Sequence, residues 1–384
     1  MKDFQYLFSA QQVVFGPGSL SKIAEVTEQF HLKRMMLFTT KGFRTRGYVD
    51  SIENMLGERL VVAYDQVQPH VQDFQVREAL AIAEEQQIDA VIGLGGGSAV
   101  GIAKAISLAL EEKRTGSPAK AAFPTEQPLI PVIAIPTTYA GSEMTPVYGI
   151  THEQGTIKRK ITVKDVKITP KLTIYDPELT LELPQGVTAG SGINAFAHCI
   201  EALYSITKNP LSTAAALGGI RSIGQSLVQC VVDGRSLAAR TEMLNGSFLA
   251  GVALSNVDMG LHHGICHVLG GSAGVSHGDA NSIMLSHVMR FNLDVTANEL
   301  ALAAEAMGIS TVGMSAEEAG AASADRVAEW VKQMNLPSRL RDVGVDKTDI
   351  PHLAKVAFES RTVRNNPKRI ENVEQLEQLL QAAW

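Results

Sequence analysis

Residues 89–110 read DAVIGLGGGSAVGIAKAISLAL, and this stretch decides the fold. Asp89–Leu94 is a short, continuous apolar run, the pattern of a strand buried on both faces. Gly95, Gly96 and Gly97 follow, then Ser98, and AVGIAKAISLAL continues as a helix. Strand, glycine cluster and helix start together make an anion-binding arrangement. Glycines let the backbone approach closely, and free N–H groups at the helix start face phosphates. Ser98 is placed to cap the helix and to donate to a phosphate. A plain tight turn would need fewer than three consecutive glycines. The spacing is neither a P-loop nor a clean G-x-G-x-x-G opening the first strand.

Working outward, Met35–Thr39, Leu60–Tyr64, Pro131–Ile135 and Leu172–Asp176 are further short apolar runs, and 76–87 has helical periodicity. Such runs, separated by helical patterns, predict a parallel sheet with helices on both faces, a doubly wound, Rossmann-like α/β architecture. Pro118–Gln127 reads as a loop. Beyond Leu183–Pro184 strand signals nearly vanish, and 190–205, 211–231, 235–254, 296–307, 316–335 and 370–383 read as helices. The expected division is therefore a dinucleotide-binding α/β domain over 1–182 and an all-helical domain over 183–384.

A chain of 384 residues suffices for two such domains. A net charge of −6 without a long basic run argues against nucleic acid and against an anionic membrane surface. Cys199, Cys230 and Cys266 are odd in number and widely spaced, so no disulfide framework is expected and a reducing cytoplasm is favoured. Cys199 and Cys266 each adjoin a histidine, but on a helix the next residue turns about 100° away, so they read as packing residues. The first twenty residues lack the apolar core of a secretory signal, and no run reaches a membrane span.

Half of the chain's ten histidines fall in two motifs. GINAFAHCIEALY carries Asn194 and His198, four apart and so on one helix face. GLHHGICHVLGGSAGVSHGDAN carries His262, His263, His267 and His277, with His263 and His267 again four apart. Imidazoles gathered on two helix faces and a glycine-flanked loop suit a mononuclear metal site, although a single histidine on an amphipathic helix is usually structural. A second loop, Pro136–Glu143, places Thr137, Thr138 and Ser142 after the 131–135 strand, beside the same crevice. Ser142 would equally serve as a helix N-cap.

FGPGSL at 15–20, GLGGGSAVGIAKA at 93–105, IPTTYAGSEMTP at 135–146, IYDPELT at 174–180, GINAFAHCIEA at 192–202 and the histidine block run in order through nearly the whole chain. Together they resemble the iron-containing (group III) alcohol dehydrogenase superfamily, which includes the metal-independent maleylacetate reductases and shares a fold with dehydroquinate synthase. The resemblance implies an oxidoreductase with NAD or NADP and a divalent ion, Fe or Zn, in an interdomain cleft. It implies that Gly95, Gly96, Gly97 and Ser98 hold the pyrophosphate and that Thr137, Thr138 and Ser142 line the adenine and phosphate path. It places Lys160 near the nicotinamide ribose. It makes His198, His263 and His277 the histidine ligands, with His263 and His267 as catalytic residues and His267 relaying a proton. A small-molecule substrate and a homo-oligomer are also implied.

Two positions depart from the metal-dependent pattern. Asn194 stands where an aspartate ligand is usual, which removes a negative charge from the donor set. Thr40 stands at the end of the 35–39 strand where many NAD-preferring members carry an acid for the ribose 2′-hydroxyl; with Lys41 and Arg44 nearby, NADP is admitted as well as NAD. Asn at 194 and a segment close to LHHGICHVLGG are shared with maleylacetate reductases, whereas SHGDAN at 276–281 looks like the metal-dependent enzymes. The expected function is hydride transfer between nicotinamide and a small alcohol/aldehyde pair, assisted by an ion. The alternative is metal-independent reduction of an enone in an oxo-dicarboxylate, for which Arg240 and Lys208 are candidate anchors.

Overall fold

A computed structural model describes residues 10–116, 121, 126–154 and 157–384. The first nine residues and most of the expected 118–127 loop lie outside the described residues.

Strands β1 (Gln12–Phe15), β2 (Met35–Phe38), β3 (Leu60–Tyr64), β5 (Ala90–Gly95), β6 (Val132–Pro136) and β9 (Leu172–Tyr175) form a parallel sheet in the order β1-β9-β6-β5-β2-β3. Side chains alternate between its two faces with period two. Met35 and Leu37 join Ile92, Leu94, Ile133 and Ile135 against helices α1 (Ile23–Gln29) and α3 (Tyr48–Leu56). Met36 and Phe38 join Val91 and Val132 against α4 (Asp73–Glu85) and α5 (Gly97–Thr115). The short α2 (Lys41–Thr45) follows β2. The continuous apolar runs therefore encode burial on both faces, and the doubly wound expectation is borne out. From β2 the chain winds outward to β3, and from β5 it winds the other way to β6. The carboxyl ends of β2 and β5 therefore flank the topological switch point, where such sheets bind ligands.

Sequence reading passed over β1, so the 35–39 strand that carries Thr40 is the second in the chain. It also passed over a small second sheet. There β4 (Val71–Gln72) pairs in parallel with β7 (Val147–Gln154), and β7 pairs antiparallel with β8 (Ile157–Lys164).

Helices α6 (Gln185–Tyr204), α7 (Pro210–Val232), α8 (Leu237–Ser255), α9 (Leu261–Ala273), α10 (His277–Ala306), α11 (Ala316–Gln333), α12 (Ile350–Glu359) and α13 (Val373–Ala382) build the rest. Several starts carry side-chain caps: Asn209 and Ser315 in capping boxes, and Ser236, Ser276 and Asn372 singly. The expected 296–307 helix is the last part of α10, which bends at Thr296, where the backbone leaves helical angles. Helix α12 was not expected.

The chain divides into two compact units. Among the described residues, one holds 10–138 with 142–180, and the other holds 139–141 with 181–384. Among the described residues no helix is long and apolar enough to cross a membrane.

Candidate active site

In the helical unit, three helices bring the motif histidines together. Helix α6 supplies Asn194 and His198, both buried, one turn apart. Helix α9 supplies His262 and His263, buried, and His267, exposed. Exposed His277 is the first residue of α10, not part of a loop, because Ser276 caps that helix by accepting from Asp279 N–H. The α6–α10 approach depends on facing glycines: a Cβ on Gly278 would lie 3.1 Å from Gly190 Cα.

His263 is the hub. Its ring stacks on His198 at 4.5 Å between centroids and lies 5.1 Å from His262, 6.2 Å from His277 and 6.5 Å from His267. His267 and His277 stack at 6.0 Å. Burial, with the neighbouring imidazoles adding to it, holds His198 and His263 well below the usual imidazole range. Both are therefore in the neutral form that ligates metals. His262 has a structural place: its Nε2 lies 2.8 Å from Asn281 Oδ1, and Asn281 donates to His277 O at 2.6 Å.

Asn194 Oδ1, His198 Nδ1 and His263 Nε2 are buried without a hydrogen-bond partner. Orphaned acceptors of this kind are uncommon in a folded interior and mark a place for a cation or proton donor. Among the described residues no group of three or more His, Cys, Asp or Glu stands in ready ligand geometry. The donor set nevertheless fits a divalent ion in chemistry: one amide oxygen and imidazoles at His198, His263 and His277.

Glu201 is the residue that sequence reading missed. Its carboxylate Oε2 lies 2.6 Å from His263 Nδ1, and it accepts the backbone N–H groups of His262 (2.9 Å) and His263 (3.2 Å). Burial pushes its pKa up, opposed by His262 and by the N–H groups of His263, His262 and Gly260. The available signal was that Glu201 is the one charged residue in α6. Arg240, the candidate anchor, is buried and donates to Tyr139 and Thr188 hydroxyls and to the Gly234 carbonyl. Lys208 is paired with Glu299. The three cysteines are buried and unbridged, and burial pushes the Cys199 thiol up, in keeping with packing.

In the sheet unit, the glycine loop lies at the carboxyl end of β5. Gly95 has φ +142°, which favours glycine. A Cβ on Gly96 would meet the Thr138 side chain at 3.1 Å, so the loop touches the Thr137–Thr138 turn directly. Thr137 N–H also donates to Gly95 O at 3.0 Å. Ser98 does not cap α5. The helix begins two residues earlier than that, with Gly96 at the cap, and Ser98 Oγ accepts from His70 N–H at 2.9 Å. Ser142 opens a single 3-10 turn, and its carbonyl accepts from Lys104. Thr40 sits at the cap position of α2, without a side-chain cap bond. Arg44 pairs with Asp65 and lies within 4 Å of Asp50 and Glu53, so it is already neutralised. The backbone of Lys160 pairs with Thr151, and its side chain lies outside the described residues.

Beneath this loop Lys104, fully buried, donates to the carbonyls of Ser142 (2.7 Å), Thr145 (2.7 Å) and Val147 (2.9 Å). Burial pushes its pKa down to about 7, against the pull of Glu143. Burial raises Glu143, which accepts from Tyr175 OH at 2.8 Å.

The chain is similar to a maleylacetate reductase of Pseudomonas knackmussii, with 31% identity over 369 residues, 96% of this chain and 94% of that protein. It is also similar to an NAD-dependent methanol dehydrogenase of Bacillus methanolicus, with 32% identity over 373 residues, 96% and 97% of the two chains. The solved alcohol dehydrogenase of Oenococcus oeni superposes with a TM-score of 0.91 at 28% identity, over 100% of both chains. The iron-containing alcohol dehydrogenase pattern matches residues 10–177, and the C-terminal pattern of the same family matches 188–384. With these two patterns together spanning nearly the whole chain, the chain belongs to the iron-containing alcohol dehydrogenase family.

Proposed function

We propose that this protein is an NAD(P)-dependent oxidoreductase acting on a small alcohol/aldehyde pair, with a divalent ion, Fe or Zn, held by Asn194, His198, His263 and His277. The observation that carries the reading is the pair of buried, unpartnered acceptors Asn194 Oδ1 and His263 Nε2 within a cluster of five imidazoles. Residues 1–182 bind the cofactor in this reading, and 183–384 carry the ligands of the reacting oxygen.

The chain's own residues do the following. N–H groups around Gly95, Gly96 and Gly97 at the start of α5 donate to the pyrophosphate oxygens, with the hydroxyls of Ser98, Thr137, Thr138 and Ser142 beside it. Thr40 faces the ribose 2′-position. Lys160 lies near the nicotinamide ribose. Asn194 Oδ1 and the three ligand imidazoles offer neutral lone pairs. His267, exposed and stacked on His277, passes the substrate proton to water. The bound ion supplies Lewis acidity towards the substrate oxygen. The nicotinamide supplies the hydride chemistry.

A second reading is reduction of an oxo-dicarboxylate enone by the same histidines without an ion. Asn194 and the similarity to a maleylacetate reductase favour it. Against it, Arg240 and Lys208 are both engaged elsewhere. Steady-state assays with short primary alcohols and diols, and with maleylacetate, separate the two. A kcat/KM for an alcohol/aldehyde pair at least tenfold above that for maleylacetate supports the first reading, and the reverse order supports the second.

A further inference from the structure

Glu201 accepts from the backbone N–H groups of His262 and His263 and lies 2.6 Å from His263 Nδ1, a nitrogen able to donate. The site is built to admit this carboxylate. A Cβ at position 260 would lie 3.2 Å from Glu201 Oε1, so glycine there keeps the entrance of α9 open to it. A backbone N–H donates to each of its two oxygens, so Glu201 serves as an acceptor here and the proton between it and His263 belongs on Nδ1. His263 Nε2 is then a bare lone pair, and it is the atom found buried without a partner. Residue 194, on the same helix as Glu201, is a neutral amide. The four donors of the proposed ion site therefore carry no negative charge of their own.

We propose that Glu201 is the positioning residue of this site: it locks His263 in the Nδ1–H tautomer and, through that hydrogen bond, supplies the negative charge that Asn194 does not. The proposal rests on the reading that these residues hold a divalent ion. A carboxylate behind a ligating imidazole fixes the ring's orientation and raises the basicity of the far nitrogen, and losing such a partner typically costs 10–100-fold in metal affinity.

The test has two readouts on the full-length protein. The first is the tautomer of His263 in metal-free wild type, from long-range proton–nitrogen spectra of histidine-labelled protein, assigned with His263→Gln. The expected result is Nδ1–H; a proton on Nε2 overturns the proposal. The second is Co²⁺ or Zn²⁺ affinity by chelator competition in Glu201→Gln, expected to be about 10–100-fold weaker, with Asn194→Asp in that background restoring affinity. Unchanged affinity in a folded Glu201→Gln protein overturns the charge-supplying role. If Glu201→Gln does not fold, the wild-type tautomer decides. Wild type that binds neither ion refutes the ion-site reading itself, while the tautomer still decides whether Glu201 sets His263.

Discussion

Arg240 Nη1 donates to the Tyr139 hydroxyl at 2.9 Å, with both side chains buried. The same guanidinium nitrogen reaches Thr188 Oγ1 at 2.9 Å. The guanidinium therefore organises the helical unit around Tyr139 and is spent before any substrate arrives. Arg240→Met leaves buried acceptors unpaired and is expected to cost on the order of 3 kcal/mol in stability. Urea unfolding checks the loss. KM for a carboxylate-bearing substrate is expected to stay unchanged in the folded variant. A large rise in KM would return Arg240 to the list of substrate anchors.

The facing glycines of α6 and α10 set the position of His277. Gly278→Ala places a methyl 3.1 Å from Gly190 Cα, tighter than ordinary contact, so the helix start must shift. The expected cost is about 1–3 kcal/mol, typical of overpacking, with a larger fractional loss of metal affinity than of cofactor affinity. Equal losses would separate His277 from the ion site.

Lys104 gives the sheet unit a pH dependence. Its folded pKa of about 7 lies below the ordinary lysine value of 10.5, so between these values the unfolded chain binds more protons and stability rises with pH. The benefit is lost as pH falls through 7. Wild type is expected to gain more stability than Lys104→Met between pH 7 and pH 9, by up to about 1.4 kcal/mol per pH unit. Parallel denaturation curves would mean that the three carbonyls keep Lys104 charged throughout.

Thr40 sits at the switch point, and Arg44 is already paired with acids. Thr40→Asp adds an acceptor for a ribose 2′-hydroxyl and repels a 2′-phosphate. The NAD/NADP ratio of kcat/KM is expected to rise about tenfold, equivalent to ~1.4 kcal/mol. A flat ratio would place the ribose elsewhere.

Much of this was legible in the sequence because burial on both faces of a parallel sheet leaves an unmistakable trace. Leu60–Tyr64 became β3 with the expected limits, and Asp89–Leu94 became β5 shifted by one residue, at Ala90–Gly95. The 147–164 hairpin was not legible because VYGITHEQ and IKRKITVK mix apolar with polar and charged residues, which reads as surface. His277 read as loop because Gly, Ser and Asp surround it, although the same Ser276 is the cap that starts α10. Lys104 and Glu201 were hardest. A charge set in an apolar stretch of helix looks incidental until its partners, three carbonyls in one case and His263 in the other, are brought in by other segments.

Metal content per chain, measured by elemental mass spectrometry on protein purified without chelators or an affinity metal, tests the central claim most directly. About one Fe or Zn per chain, lost together with alcohol-dependent NAD(P) reduction on chelation and regained with it, is the predicted result. Metal-free protein that turns over NAD(P)H with a carbonyl substrate at full rate would contradict the account.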